Sequence, residues 1–270
     1  MIEIPDISGK KLYDFLTANK SSLIAQKKFE VKRGDPFVYS GSVETDKGAT
    51  VKANTPLDAN RDEIQVLSII NTTNWLDSHG DVHVNGLWKK SLFETKDLYL
   101  LQEHTMTFKG IITDQVKAYT KKIAWRTLGV DFDGYTEALV FDSAIKKDRN
   151  TFMFDEYRKG HVKNHSVGMR YVKIELAIND EDYKDEFSNW GKYIDSIANK
   201  ETAISQGYFW AVTEAKVVEG SAVPIGSNTI TPTQSVKNIE PVTTTQQRAV
   251  KDTRFTQGLQ NLLTQVKEIK

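Results

Sequence analysis

Between about residue 61 and residue 230 the chain runs through a series of short apolar, β-branched segments, and any fold it adopts must stack these into sheets. The segments at 64–70, 98–101, 110–116, 121–128, 167–178 and 208–218 are predicted strands. Two stretches interrupt them. Residues 142–160 read as a helix, with Asp142 or Ser143 as cap and Gly160 as a left-handed stop. Residues 180–200 carry Tyr183, Phe187, Trp190, Ile194 and Ile197 at three- and four-residue spacing, the pattern of a helix with one apolar face. Many strands with few helices predict an α+β domain, built on a β-barrel-like or strongly bent sheet with helices outside.

The flanks differ from this centre. Residues 1–60 read as an arm with one amphipathic helix, marked by Leu12, Phe15, Leu16, Leu23 and Ile24, with Ser8 as N-cap. A short isolated helix is marginal in water, so the arm is expected to pack on the main domain or on a partner. The main domain spans 61–228 and includes an acidic helical insertion at about 179–205; residues 180–201 hold seven acidic and three basic side chains. Residues 229–252, rich in Thr, Gln, Ser and Asn, read as a polar linker. Residues 253–270 read as a terminal helix with an apolar stripe of Phe255, Leu259, Leu262, Leu263, Val266 and Ile269, which docks back or binds a partner helix.

Composition narrows the function classes. The 270 residues include no cysteine, which excludes disulfide scaffolds, thiolate zinc sites and cysteine nucleophiles. Thirty-six basic residues balance 36 acidic ones, against the excess cation that phosphate binding demands. No apolar run approaches the roughly 18–20 residues of a membrane span, and the start, Met1 to Lys11, lacks the apolar core of a secretory signal. The expectation is a globular, cytosolic protein without nucleic-acid or membrane partners.

Five histidines make their neighbourhoods worth testing. His104 follows the predicted strand at 98–101. His165 precedes Ser166, which lies at the start of another strand. A serine hydroxyl needs an adjacent base and a third group that orients that base, and the amides of Val167 and Gly168 are candidate oxyanion donors. His79 and His83 flank Asp81 at a four-residue spacing, which metal ligands also use, but Gly80, Val82 and Val84 favour a polar turn. Glu214 and Glu219 are five residues apart on one strand, so a regular strand places them on opposite faces. His165, next to Ser166 on a strand, faces away from it and is a poor base.

The ordered set of motifs carries more than any one of them. Gly80-Asp81 is followed by Gly86 and Ser91-Leu92, then His104, Lys109-Gly110-Ile111, Ser166-Val167-Gly168-Met169, and finally Glu219-Gly220-Ser221. Over about 65–228 this series resembles the prohead protease family of tailed bacteriophages. The resemblance implies a serine endopeptidase that matures phage capsids, on a β-barrel with surrounding helices akin to the herpesvirus assembly proteases. By motif, Ser166 is the nucleophile, His104 the general base and Glu219 the group that orients the imidazole. Val167 and Gly168 are backbone oxyanion donors, and Asp81 and Gly86 are structural. Gly220 stands where a branched residue is usual, which keeps Glu214 open as the alternative acid. No metal or other cofactor is required.

The implied partners are the major capsid protein and a scaffold protein or scaffold domain, with the portal as a further candidate and self-association left open. The implied location is the immature procapsid in the host cell cytoplasm. Self-cleavage is expected in 40–60 or 227–252. The alternative from another class is a non-catalytic phage head scaffold or assembly factor that retains the protease fold. A metal hydrolase using His79, His83 and His104 is a third reading.

Overall fold

The computed structural model describes residues 2–32, 58 and 60–239. The described residues up to Asn238 belong to one compact unit. It begins with two helices, α1 (Gly9–Ala18) and α2 (Lys20–Phe29). Then come β1 (Glu63–Thr72), β2 (Asp81–His83), α3 (Lys89–Glu94), β3 (Leu100–Gln102), β4 (Ile111–Thr113) and β5 (Val116–Ala124). A 3-10 turn at Trp125–Leu128 leads to β6 (Tyr135–Lys146), α4 (Thr151–Arg158) and β7 (Asn164–Ile178). The chain continues through α5 (Lys184–Tyr193), α6 (Lys200–Gln206), β8 (Tyr208–Val223) and β9 (Thr233–Asn238). No helix among the described residues is long and apolar enough to cross a membrane.

The strands form two sheets and not a closed barrel, which corrects the barrel-like expectation. One sheet is antiparallel, in the order β5-β6-β1-β9. The other is built on β8. Along its whole length β8 pairs antiparallel with β7; on the opposite edge it pairs in parallel with β2 at Trp210–Val212 and with β3 at Gly220–Ala222. An isolated bridge between Asn164 and Pro232 and a bond from Thr113 Oγ1 to the Ala144 carbonyl (2.7 Å) link the two sheets, and among the described residues no ladder runs between them. Their facing sides fill a common core. Ile64, Val66 and Ile70 of β1 and Phe141 of β6 meet Val167, Ala215, Val217 and Ala222 of the second sheet.

The N-terminal arm contains two helices where the apolar spacing suggested one. Asn19 separates them, and both its amide (3.0 Å) and its side-chain Nδ2 (2.9 Å) donate to the Phe15 carbonyl. Leu12, Leu16 and Leu23 are buried in the main core, so the arm packs on the domain. Residues 33–57, and with them most of the arm's second half, lie outside the described residues.

One further boundary moved. The stretch 142–146 continues β6, and the following helix starts only at Thr151, where Asn150 Oδ1 accepts from the Met153 amide at 3.1 Å. Asp142 and Ser143 are therefore not caps. Gly160 does end this helix with φ 72°, and the His161 amide reaches back to the Glu156 carbonyl at 2.9 Å. The acidic insertion is helical: α5 and α6 place Trp190, Tyr193, Ile197 and Ala203 against Phe209 and Val82 in a satellite core.

Part of the expected linker belongs to the fold. Thr233–Asn238 is a strand on the edge of the first sheet, with Thr233 and Val236 buried. Asn228 is buried against Thr72, and Thr231 against His165. Residues 227–238 are thus not the exposed segment that self-cleavage requires. The remainder of the linker, 240–252, and the helix expected at 253–270 lie outside the described residues.

Candidate active site

The site forms where β3 runs out beside β8. After Gln102 the chain turns sharply: Glu103 and His104 both adopt left-handed backbone, with φ 49° and 55°. Two successive non-glycine residues in that region are strained by about 1–3 kcal/mol each and persist only where neighbours hold them. Here the Glu103 amide donates to the Ala222 carbonyl at 3.0 Å, and the His104 amide donates to Ser221 Oγ at 3.1 Å. Both anchors are on β8, so the turn presses the His104 ring against that strand.

The ring meets a carboxylate there. His104 Nδ1 lies 2.6 Å from Glu219 Oε1, and Ser221 Oγ donates to Glu219 Oε2 at 2.7 Å. All three residues are buried. Both carboxylate oxygens accept, so the Nδ1 atom carries the shared proton and the lone pair of a neutral ring lies on Nε2. The arrangement fixes both the tautomer and the orientation of the imidazole.

Ser166 sits on the same face. It is the cross-strand partner of Ser221, as Gly168 is of Glu219, and directly opposed residues point to the same side of a sheet. The Glu219 carboxylate occupies the space over Gly168, where a Cβ would overlap Oε1. A glycine at 168 is therefore a condition for the His104–Glu219 contact. The intervening residues face the other way. Val167 is in the core, and a Cβ on Gly220 would come within 2.6 Å of Phe141. The absence of a branched side chain at 220 thus reflects the close approach of the opposite sheet.

The other sequence candidates are placed elsewhere. Glu214 is not the acid partner of a histidine: it pairs with Lys173 at 2.7 Å and Lys90 at 3.6 Å, and the Lys173 hydrogen bond holds its carboxyl below the usual range. Nor is it on the opposite face from Glu219. Gly168 opposes Glu219 but Met169 opposes Val217, so Val218 is an extra residue, a β-bulge that re-phases the strand. Ala215 and Val217 then point into the core, and Glu214 points out on the side of Glu219.

Val167 and Gly168, the expected oxyanion donors, follow Ser166 on β7. The His165 amide donates to the Thr231 carbonyl at 3.0 Å, away from β8. Alternation along an antiparallel strand then directs the Gly168 amide toward β8 and the Val167 amide toward the outer edge.

His165 is fully buried on the core side, between the Tyr157 hydroxyl (3.0 Å) and the Thr231 carbonyl (3.1 Å), and burial pushes its pKa down to about 4. His83 is not brought together with His79 and His104 as a metal set. Its Nδ1 faces Asn71 Nδ2 at 2.9 Å and its Nε2 faces the Tyr171 hydroxyl at 3.2 Å. Among the described residues no group of three or more His, Asp or Glu is arranged to hold a metal ion.

Two features escaped the reading of the sequence. Ser221 was part of a motif but had no assigned role; its two-residue spacing from Glu219 on a strand is the signal that puts both on one face. The second is a buried polar chain. Lys27 of α2 pairs with Asp81 at 2.5 Å, Tyr171 donates to the same carboxylate at 2.8 Å, and His83 and Asn71 continue the chain. Burial alone raises an acid, but the Lys27 ammonium reverses this and holds Asp81 below its ordinary range. Nothing in the local sequence links Lys27 to Asp81, 54 residues away.

No protein-family model, no curated protein and no solved structure matches the chain.

Proposed function

We propose that the chain is a serine endopeptidase in which Ser166 is the nucleophile, His104 the general base and Glu219 the orienting acid. The observation that carries this reading is the buried 2.6 Å contact between His104 Nδ1 and Glu219 Oε1, on the face shared with Ser166. His104 Nε2 takes the proton of Ser166 Oγ as that oxygen attacks the scissile carbonyl carbon. The Glu219 carboxylate stabilises the imidazolium that forms. Collapse of the tetrahedral intermediate breaks the C–N bond, and His104 returns its proton to the leaving amine. Water then attacks the acyl carbon as His104 takes its proton, and the bond from that carbon to Ser166 Oγ breaks as His104 returns the proton to Oγ. Ser221 holds the second carboxylate oxygen and so keeps Glu219 from swinging away.

The narrower reading rests on the order of motifs from Gly80-Asp81 through Glu219-Gly220-Ser221. It is a prohead maturation protease of a tailed phage, cutting scaffold and major capsid protein segments, and itself, inside the immature procapsid in the host cytoplasm. A fluorophosphonate probe tests the chemistry: it should label Ser166 in the wild-type chain and fail on Ser166→Ala and His104→Ala. Intact-mass spectrometry tests the self-cleavage, which the Ser166→Ala chain should lack. No labelling and identical masses would leave a non-catalytic head-assembly factor as the better reading.

A further inference from the structure

A cleft of about 210 Å³ lies beside the candidate active site. It is smaller than the roughly 300–1,000 Å³ of sites that take whole ligands, so one side chain is its fitting occupant. Its position is set by the same two segments that build the site: Glu103 precedes His104, and Ala222 and Val223 follow Ser221. The third wall is α4 with Phe152, Met153 and Glu156, closed by Val162. Asn150 Nδ2 donates to the Lys109 carbonyl at 3.4 Å, tying the N-terminus of this helix to the turn that carries His104.

The chemistry of the lining is asymmetric. Phe152, Met153, Val162 and Val223 supply apolar walls, and Glu103 and Glu156 supply two carboxylates, while no lysine or arginine lines the cleft. His161, also at the cleft, lies 3.1 Å from Glu156, and nothing in the lining pairs with Glu103. A long basic side chain matches this combination, with its methylene stem on the apolar wall and its charged head between the carboxylates. Segments that flank the lining carry exposed large apolar side chains: Met106 and Phe108 in the loop after Glu103, Phe152 on α4, and Ile225 after Pro224, with Phe108 exposed to 86%. Exposed apolar side chains of this size are the kind of surface that a bound peptide covers.

We infer that the cleft is a specificity pocket of the proposed endopeptidase and takes a lysine or arginine side chain close to the scissile bond of an extended peptide. The inference rests on the endopeptidase reading for cleavage, but not for binding. Two measurements therefore separate the failures. In the first, wild-type protein is offered peptides that differ only in lysine, arginine, norleucine or glutamate at the varied position. Lysine and arginine should be preferred to norleucine by about tenfold or more, and the preference should fall about tenfold in Glu103→Gln/Glu156→Gln. Ser166-dependent cleavage without a basic preference would overturn the pocket and leave the protease standing. In the second, the Ser166→Ala chain is titrated against fluorescein-labelled lysine and norleucine peptides by anisotropy. The lysine peptide should bind at least tenfold tighter, and the margin should shrink in the double variant. Equal binding would overturn the pocket, whereas selective binding with no wild-type cleavage would overturn the protease reading alone.

Discussion

Two short strands run parallel to β8, and each delivers a histidine to a buried polar cluster, but the two clusters are built for different ends. At β2, His83 has a partner on each ring nitrogen, and a tyrosine stands between it and the carboxylate of Asp81. Burial lowers the His83 pKa, and Lys27 neutralises Asp81. Each ring nitrogen of His83 and the Tyr171 hydroxyl has a protein partner, and only Asn71 Oδ1 at the end of the described chain has none, so the imidazole is committed to its neighbours. Past β3, His104 contacts its carboxylate directly, no lysine among the described residues is paired with Glu219, and a serine hydroxyl lies on the same face. A carboxylate that faces an ammonium holds a fold together, whereas one that faces an imidazole prepares a base.

The contrast can be broken or sharpened in order of expected effect. Glu219→Gln removes the charge that stabilises imidazolium, so kcat/KM on a peptide should fall by about 10³–10⁴. His83→Gln should leave kcat/KM near wild type; a loss as large as that of Glu219→Gln would erase the distinction between the clusters. Lys27→Met strands the Asp81 charge in the interior, and breaking such a pair costs about 3 kcal/mol or more. Urea titration should show this loss, while kcat at a temperature well below Tm should stay near wild type.

A third effect belongs to His165. Its folded pKa of about 4 lies below its ordinary 6.5, so the unfolded chain binds the proton first as pH falls. Its contribution to stability is therefore fully present above about pH 6.5 and is lost between there and about pH 4. Between pH 7 and pH 5 this is worth about 2 kcal/mol, and the drop should be visibly smaller in His165→Gln when both are unfolded in urea at the two pH values. Ser221→Ala should reduce kcat less than Glu219→Gln does, by about 10- to 150-fold at most, since one hydrogen bond to a carboxylate is worth about 1.5–3 kcal/mol and Glu219 keeps its His104 contact. A loss as large as that of Glu219→Gln would make Ser221 a full member of the apparatus.

Much of this was legible in the sequence, for reasons that differ by residue. The two longest strands of the second sheet announce themselves in β-branched and aromatic residues, and Trp190 and Ile197 reveal the inserted helices by spacing. The pairing of His104 with Glu219 came from the order of motifs, since 115 residues separate them. The strand at Tyr135–Lys146 was hidden because Asp142 and Ser143 imitate a helix start, although in the sheet they sit opposite Leu67 and Val66 of β1. The edge strand at Thr233–Asn238 was hidden by its polarity, which suits an edge with one side turned to water. The direction of the Val167 amide was out of reach altogether, because it depends on which neighbour Thr231 caps. Lys27 was equally invisible, being a tertiary contact from an arm that composition set apart.

The surplus residue at Val218, one of two that β8 skips (Thr213 is the other), has a consequence for how sequences of this kind should be compared and edited. It acts as a frameshift in space. On either side of it β8 is read in different phases, and Glu214 to Val217 keep a common orientation with Glu219 to Val223 only because one position is skipped. Removing Val218 would leave every neighbour chemically intact, yet would exchange inside and outside for one of these stretches, turning Glu219 and Ser221 toward Phe141 or Ala215 and Val217 toward water. Counting residues from Glu214 is therefore the wrong ruler for locating the acid in a variant chain; the distance from the skipped position is the right one.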